Sequence, residues 1–187
     1  MPRLFIAIDL SDPIKDHLQT LRVDIPGAVW AKRHTFHLTL RFLGDQVPTT
    51  QIDAIVSALG GLRFEPFDLH VQGVGRFPPG SRGAARVLWA CIAAPPALTQ
   101  LYTEMSAALA PLGFPPEDRP FHPHVTLARM KAPRPHPSVD RFLAQAAGLR
   151  SDVVRLNAFH LYESELLPQG PRYTRRASFM AQSTDLK

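Results

Sequence analysis

Cysteine is all but missing from this sequence. Cys91 stands alone among 187 residues, which excludes an intrachain disulfide and any cysteine-rich zinc site. That scarcity fits a reducing cytoplasm, the expected location. Long apolar runs are missing too. The first candidate, in "MPRLFIAIDL", is interrupted by Asp9 and then by "SDPIKD". It is too short to span a bilayer and has no cleavage-site pattern, so it reads as a first strand. No lipidation signal stands in "STDLK", and no membrane association is expected. Low-complexity stretches are also absent. The 19 prolines gather in short connections such as "FPPG", "GFPPEDRPFHPH" and "APRPHPS", where they mark loops rather than disordered linkers.

What is present has the balance of an ordinary globular protein, 45% hydrophobic and 20% charged. A chain of this length builds one substantial domain or two small lobes sharing an interface. The net charge of +5 suits a polyanionic partner such as RNA, and equally a basic, Arg-rich proteome.

Periodicity gives a repeated order. "RLFIAIDL" reads as a strand, and "SDPIKDHLQTLRVDI" as a helix with Ser11 or Asp12 at its cap and Pro13 in its first turn. "HLTLRFLG" is a second strand, and "PTTQIDAIVSALGG" a helix stopped by paired glycines. "FDLHVQGVGRF" and "ARVLWACIA" are strand-like runs joined by the turn-rich "PPGSRG". A similar cycle follows: a helix in "PPALTQLYTEMSAALAPLG", the strand "HVTLARM", a helix in "PSVDRFLAQAAG", and strand-like runs in "DVVRLNAFHLYESEL" and "YTRRASFMA". The expected fold class is α+β: a duplicated, bilobal chain with two antiparallel-rich sheets and outer helices around a central cleft. Residues 1–187 are expected to form one domain of two interlocked lobes, acting as a monomer.

Each half carries one histidine followed two residues later by a threonine, His37 and Thr39 in "FHLTL" and His124 and Thr126 in "FHPHVTL". Strand side chains alternate faces, so each pair points one way, opposite Phe36, Leu38, Leu40 and Phe42 in one strand and Val125 and Leu127 in the other. If the halves are related by a pseudo-two-fold, the two polar faces meet in one cleft. Two imidazoles divide acid–base work, one taking a proton from a nucleophile and one giving a proton to a leaving oxygen. Two threonine hydroxyls donate to the oxygens that gather charge. A phosphodiester is the natural target, and no metal is required.

The pair "HLTL" and "HVTL" resembles the signature of the 2H phosphoesterase superfamily. With "FHLTLRFLG", "ARVLW" and "FHPHVTLAR" around it, the chain looks like the bacterial and archaeal RNA 2′,3′-cyclic phosphodiesterases, historically called 2′-5′ RNA ligases. The resemblance implies metal-independent, cofactor-free hydrolysis of RNA 2′,3′-cyclic phosphate ends to 2′-phosphates. Reversible 2′-5′ joining of tRNA halves is the other activity it implies. The substrates implied are RNA ends, tRNA fragments or nucleoside 2′,3′-cyclic phosphates. By position, His37 becomes the proton donor to the 3′ oxygen, His124 the acceptor that activates water, and Thr39 and Thr126 the phosphate-binding pair. A non-catalytic RNA-end binder is the competing class, disfavoured because Arg or Lys would serve binding alone.

Three arginines are candidate substrate contacts: Arg86 in "ARVLW", Arg129 at the end of "HVTLAR", and Arg41, which shares the alternation phase of His37 and Thr39. Trp30, Phe77 and Tyr173 are candidates for stacking a base, with core packing the alternative. His122 beside His124, and His34 beside His37, have spacings a metal can use, but no carboxylate or cysteine completes a site. His34 and His122 are read as rim residues, and His70, His136 and His160 as surface or structural ones.

Overall fold

The computed structural model describes residues 1–80 and 83–182. Strand β1 (Arg3–Asp9) shows the organising pattern. Leu4, Ile6 and Ile8 enter the main core, while Phe5 and Ala7 on the other face join a small separate cluster with Tyr162. Helix α1 (Asp12–Thr20) follows, with Pro in its first turn and Ser11 at the cap position, although the serine side chain makes no capping bond. It is shorter than its apolar spacing suggests. The β-branched Val23 and the restricted Ile25 before Pro26 end it. The chain then forms a short strand, β2 (Ala28–Trp30), for which three residues offer no periodic signal.

The first motif lies on β3 (His37–Gly44) and the second on β7 (His124–Met130). Between them come α2 (Ile52–Gly60), β4 (Phe67–Leu69), β5 (Val71–Phe77), β6 (Val87–Ile92) and α3 (Pro96–Leu109). After them come α4 (Pro137–Gln145), β8 (Val154–Leu156), β9 (Ala158–Leu167) and β10 (Gly170–Met180). The class is α+β, as expected: antiparallel sheets ordered β10-β9-β1-β3 and β2-β7-β6-β5, with a small β4-β8 pair. Among the described residues no helix is long and apolar enough to cross a membrane.

The sheets do not follow the two cycles read along the chain. The late hairpin β9–β10 joins β1, and the early strands β5 and β6 join β7. Each sheet therefore draws strands from both halves. One continuous core unites them, with Ile6, Leu38 and Phe159 from the first sheet and Leu88, Val125 and Leu127 from the second. Burying that much apolar surface is the main stabilising term available to the fold.

Both motif strands carry a β-bulge at the same place. In β3, Ala7 pairs with Thr39 and Ile6 with Arg41, so Leu40 is passed over. In β7, Trp89 pairs with Thr126 and Leu88 with Ala128, so Leu127 is passed over. One extra residue reverses the alternation beyond it. Arg41 therefore turns inward, only 5% exposed, where it donates to the Pro115 carbonyl oxygen and lies 3.9 Å from Glu117. The expectation that Arg41 extends the polar face beside His37 is corrected by this bulge. Phe42, expected to be buried opposite His37, emerges on the cleft side instead.

Candidate active site

A cleft of about 540 Å³ lies against the polar faces of both sheets, and His37, Thr39, Phe42, Thr126, Arg129 and Tyr173 are among its lining residues. Arg129 reaches it because of the Leu127 bulge: strict alternation from His124 would give that position to Ala128. Trp30 and His34 also line it. His124 shares the strand face of Thr126 and packs edge-on against Phe77, ring centroids 5.1 Å apart, with Trp89 at 6.1 Å. His37 is held likewise between Phe5 at 5.0 Å and Tyr173 at 5.3 Å. Each imidazole thus has its plane fixed by two aromatic rings.

The polar hold on the two rings is also duplicated. His37 Nδ1 lies 2.8 Å from the Thr35 carbonyl oxygen, and His124 Nδ1 lies 2.7 Å from that of His122. A carbonyl oxygen only accepts, so both Nδ1 atoms carry the proton and donate. The neutral tautomer this fixes keeps the lone pair on Nε2 of each ring. The turn supplying the Thr35 carbonyl is itself tied, since Thr35 Oγ1 donates to the Lys32 carbonyl at 2.7 Å.

Burial holds both imidazoles below the ordinary histidine value, and the Arg129 charge pushes both further down. The two rings differ in what opposes this. His37 is pulled up by its bond to the Thr35 carbonyl and by the Asp9 carboxylate, with Lys15 pushing it down. For His124 the bond to the His122 carbonyl is the only upward influence among the described residues, while the His122 ring pushes down.

Asp9, in the sequence only a break in an apolar run, stands opposite His37 in the β1–β3 register. Its carboxylate accepts a 2.7 Å bond from the Tyr162 hydroxyl and a 2.5 Å bond from Arg175, and His160 Nε2 lies 3.8 Å away. The period-2 series Phe5, Ala7, Asp9 is the signal that could have found it, because it continues on the face that β1 shares with His37. Tyr162, buried beside Asp9, has its hydroxyl pushed up to about 12, first by burial and then by donating to Asp9.

The remaining candidates separate. Arg86 is exposed just before β6 and does not line the cleft; its backbone bonds to Phe77 and Met130. Phe77 packs on His122 and His124, and Tyr173 on His37. His136 caps α4 by accepting from the Ser138 N–H, and His160 meets Ser178 Oγ at 3.0 Å. Both are structural placements. Among the described residues, no three His, Cys, Asp or Glu side chains gather as a metal site requires.

Comparison with known proteins gives one family. Residues 10–166 match the model of the 2′-5′ RNA ligase superfamily. An Aeropyrum pernix protein named RNA 2′,3′-cyclic phosphodiesterase is 36% identical, over 74% of this chain and 77% of its own. Its namesake from Thermus thermophilus is 34% identical, over 92% and 86%. Among solved structures, a Thermus thermophilus protein superposes with a TM-score of 0.80 at 31% identity, over 97% of this chain and 99% of that one. E. coli LigT complexed with 3′-AMP superposes at 0.76 and 26% identity, over 97% and 99%.

Proposed function

The chain belongs to the 2′-5′ RNA ligase superfamily and to its RNA 2′,3′-cyclic phosphodiesterases, and from that membership we propose that it opens RNA-terminal 2′,3′-cyclic phosphates to 2′-phosphates. The observation that carries the chemistry is the duplicated hold on His37 and His124, each Nδ1 fixed on a carbonyl two residues back. Two identically prepared Nε2 atoms suit in-line displacement, with one on the side of attack and one on the side of departure.

In this reading neutral His124 takes a proton from water at Nε2 while the water oxygen bonds to phosphorus. The bond from phosphorus to the 3′ oxygen breaks, and that oxygen takes the proton from Nε2 of His37 imidazolium. Asp9 supports the division, because its carboxylate favours the charged form of His37 and, among the described residues, no carboxylate does so for His124. The Thr39 and Thr126 hydroxyls donate to the non-bridging oxygens, and Arg129 offsets their charge. The mechanism calls for no metal or cofactor. The described residues act together as one bilobal unit, since each sheet borrows strands from both halves.

The superfamily's own name supports a second reading, reversible 2′-5′ joining. In it a ribose 5′-hydroxyl takes the place of water as nucleophile, the bond from phosphorus to the 3′ oxygen breaks as before, and a 2′-5′ linkage is left.

The test is incubation of the purified protein with adenosine 2′,3′-cyclic phosphate in EDTA, followed by separation of the product isomers. Adenosine 2′-phosphate is expected, with loss of turnover in both His37→Ala and His124→Ala. No product, a 3′-phosphate product, or full activity in both variants overturns the reading.

A further inference from the structure

Behind His37 lies a second cavity, of about 360 Å³. It shares Phe5, His34, His37 and Tyr173 with the catalytic cleft, so the two spaces meet along the His37 ring. Its far side is formed by Asp9, Lys15, Tyr162 and Arg175. Charge within it is unevenly matched. Asp9 is engaged by Arg175 and by the Tyr162 hydroxyl, and that hydroxyl also accepts from Arg175 Nε at 3.3 Å. The Lys15 ammonium has no ion-pair or hydrogen-bond partner among the described residues, and neither has the Tyr173 hydroxyl. Lys15 is half-buried on the first turns of α1, and its ammonium is unpaired among the described residues.

We propose that this cavity holds the phosphate on the 5′ side of the terminal nucleotide, with Lys15 as its principal contact and Arg175 and the Tyr173 hydroxyl as supporting donors. The assignment rests on the cyclic-phosphate reading of the cleft. A cyclic 2′,3′-phosphate ends the chain, so the only other phosphate near it is the one joining that nucleotide to its 5′ neighbour. A site one nucleotide away must therefore adjoin the catalytic cleft, as this cavity does at His37. The paired Asp9 leaves the space with a surplus cation, the charge a phosphodiester requires. The consequence is a preference for RNA ends over free nucleoside cyclic phosphates.

The test compares adenosine 2′,3′-cyclic phosphate with and without a 5′-phosphate, each enzyme form being assayed at its own pH optimum. The wild type is expected to show a kcat/KM roughly tenfold higher for the 5′-phosphorylated substrate, with the advantage shrinking as salt rises. Lys15→Ala is expected to erase the advantage and leave turnover of the unphosphorylated substrate intact, and Lys15→Arg to restore part of it. Equal kcat/KM in the wild type, or an equal loss on both substrates in Lys15→Ala, overturns the proposal. Calorimetry with adenosine 2′-phosphate and adenosine 2′,5′-bisphosphate reads the cavity without turnover. Tighter binding of the bisphosphate that depends on Lys15 upholds the site even if no hydrolysis occurs, and equal affinities overturn it.

Discussion

Leu40 and Leu127 occupy the same place in two different strands: each follows a motif threonine, and each is passed over by the neighbouring strand. The bulges decide which arginine reaches the cleft. Arg129 is delivered to the cleft and Arg41 is turned into the interior. Arg129→Ala is expected to lower kcat/KM by roughly 10- to 100-fold, the loss of one charge-assisted contact. Arg41→Met is expected to leave kcat/KM near wild type and to register in thermal stability instead. Steady-state kinetics on a cyclic nucleotide with both variants checks the contrast.

Removing Arg129 has a second expected effect. Its charge depresses both imidazoles, so both limbs of a bell-shaped pH–rate profile should move to higher pH in Arg129→Ala. In the wild type, burial should set both limbs below the ordinary imidazole value. A profile centred above that range, or unmoved in the variant, contradicts the assignment.

Asp9→Asn isolates one limb. The carboxylate favours protonated His37 and does not reach His124. Its loss should move the His37 titration to lower pH and leave the His124 titration in place. Titration of the imidazole C–H resonances by NMR separates the two. Movement of both resonances, or of His124 alone, would count against Asp9 as the group that positions the His37 charge.

Gly75 and Trp89 are opposite one another on β5 and β6. A Cβ on Gly75 would lie 2.2 Å from the Trp89 ring, so the indole lies over bare backbone. Gly75→Ala is expected to cost about 1–3 kcal/mol through overpacking. It should also displace Trp89, which packs on His124. Chemical denaturation with tryptophan fluorescence measures the first effect, and kcat the second.

The same buried imidazoles make the fold sensitive to acid. His37, His124 and His160 are held below the ordinary value chiefly by burial. The unfolded chain therefore takes up these protons first. Stability should be at its full value above about pH 6.5 and fall as pH drops through the depressed values in the fold. Melting curves across that interval check the sign, and His160→Gln, outside the cleft, should reduce the slope.

The motif pair, its strands and its alternating faces are legible in the sequence because a polar side chain recurring in an apolar strand leaves a period-2 trace. Arg41 and Phe42 are misplaced by that rule because a bulge leaves no trace: "LTLRF" is chemically an unbroken strand, and the reversal after Leu40 comes from pairing with β1. Asp9 escapes notice for a related reason. Its importance lies in facing His37, Tyr162 and Arg175, partners that adjoin it only once β1 is inserted between β3 and β9. The element types are readable locally. Which half of the chain supplies which sheet is not.

That exchange of strands bears on synthesis. β1 is made well before its partner β9, which pairs Glu163 with Leu4 and His160 with Ala7. The face presenting Phe5 and Asp9 to His37 therefore stays open on one side until β9 has been made. A nascent chain already carrying both histidines still lacks Tyr162, Tyr173 and Arg175 around His37. Translation itself thus withholds a complete His37 environment until β9 and β10 have followed both motifs, so a nascent chain can carry both imidazoles without the surroundings that favour the proton on one of them.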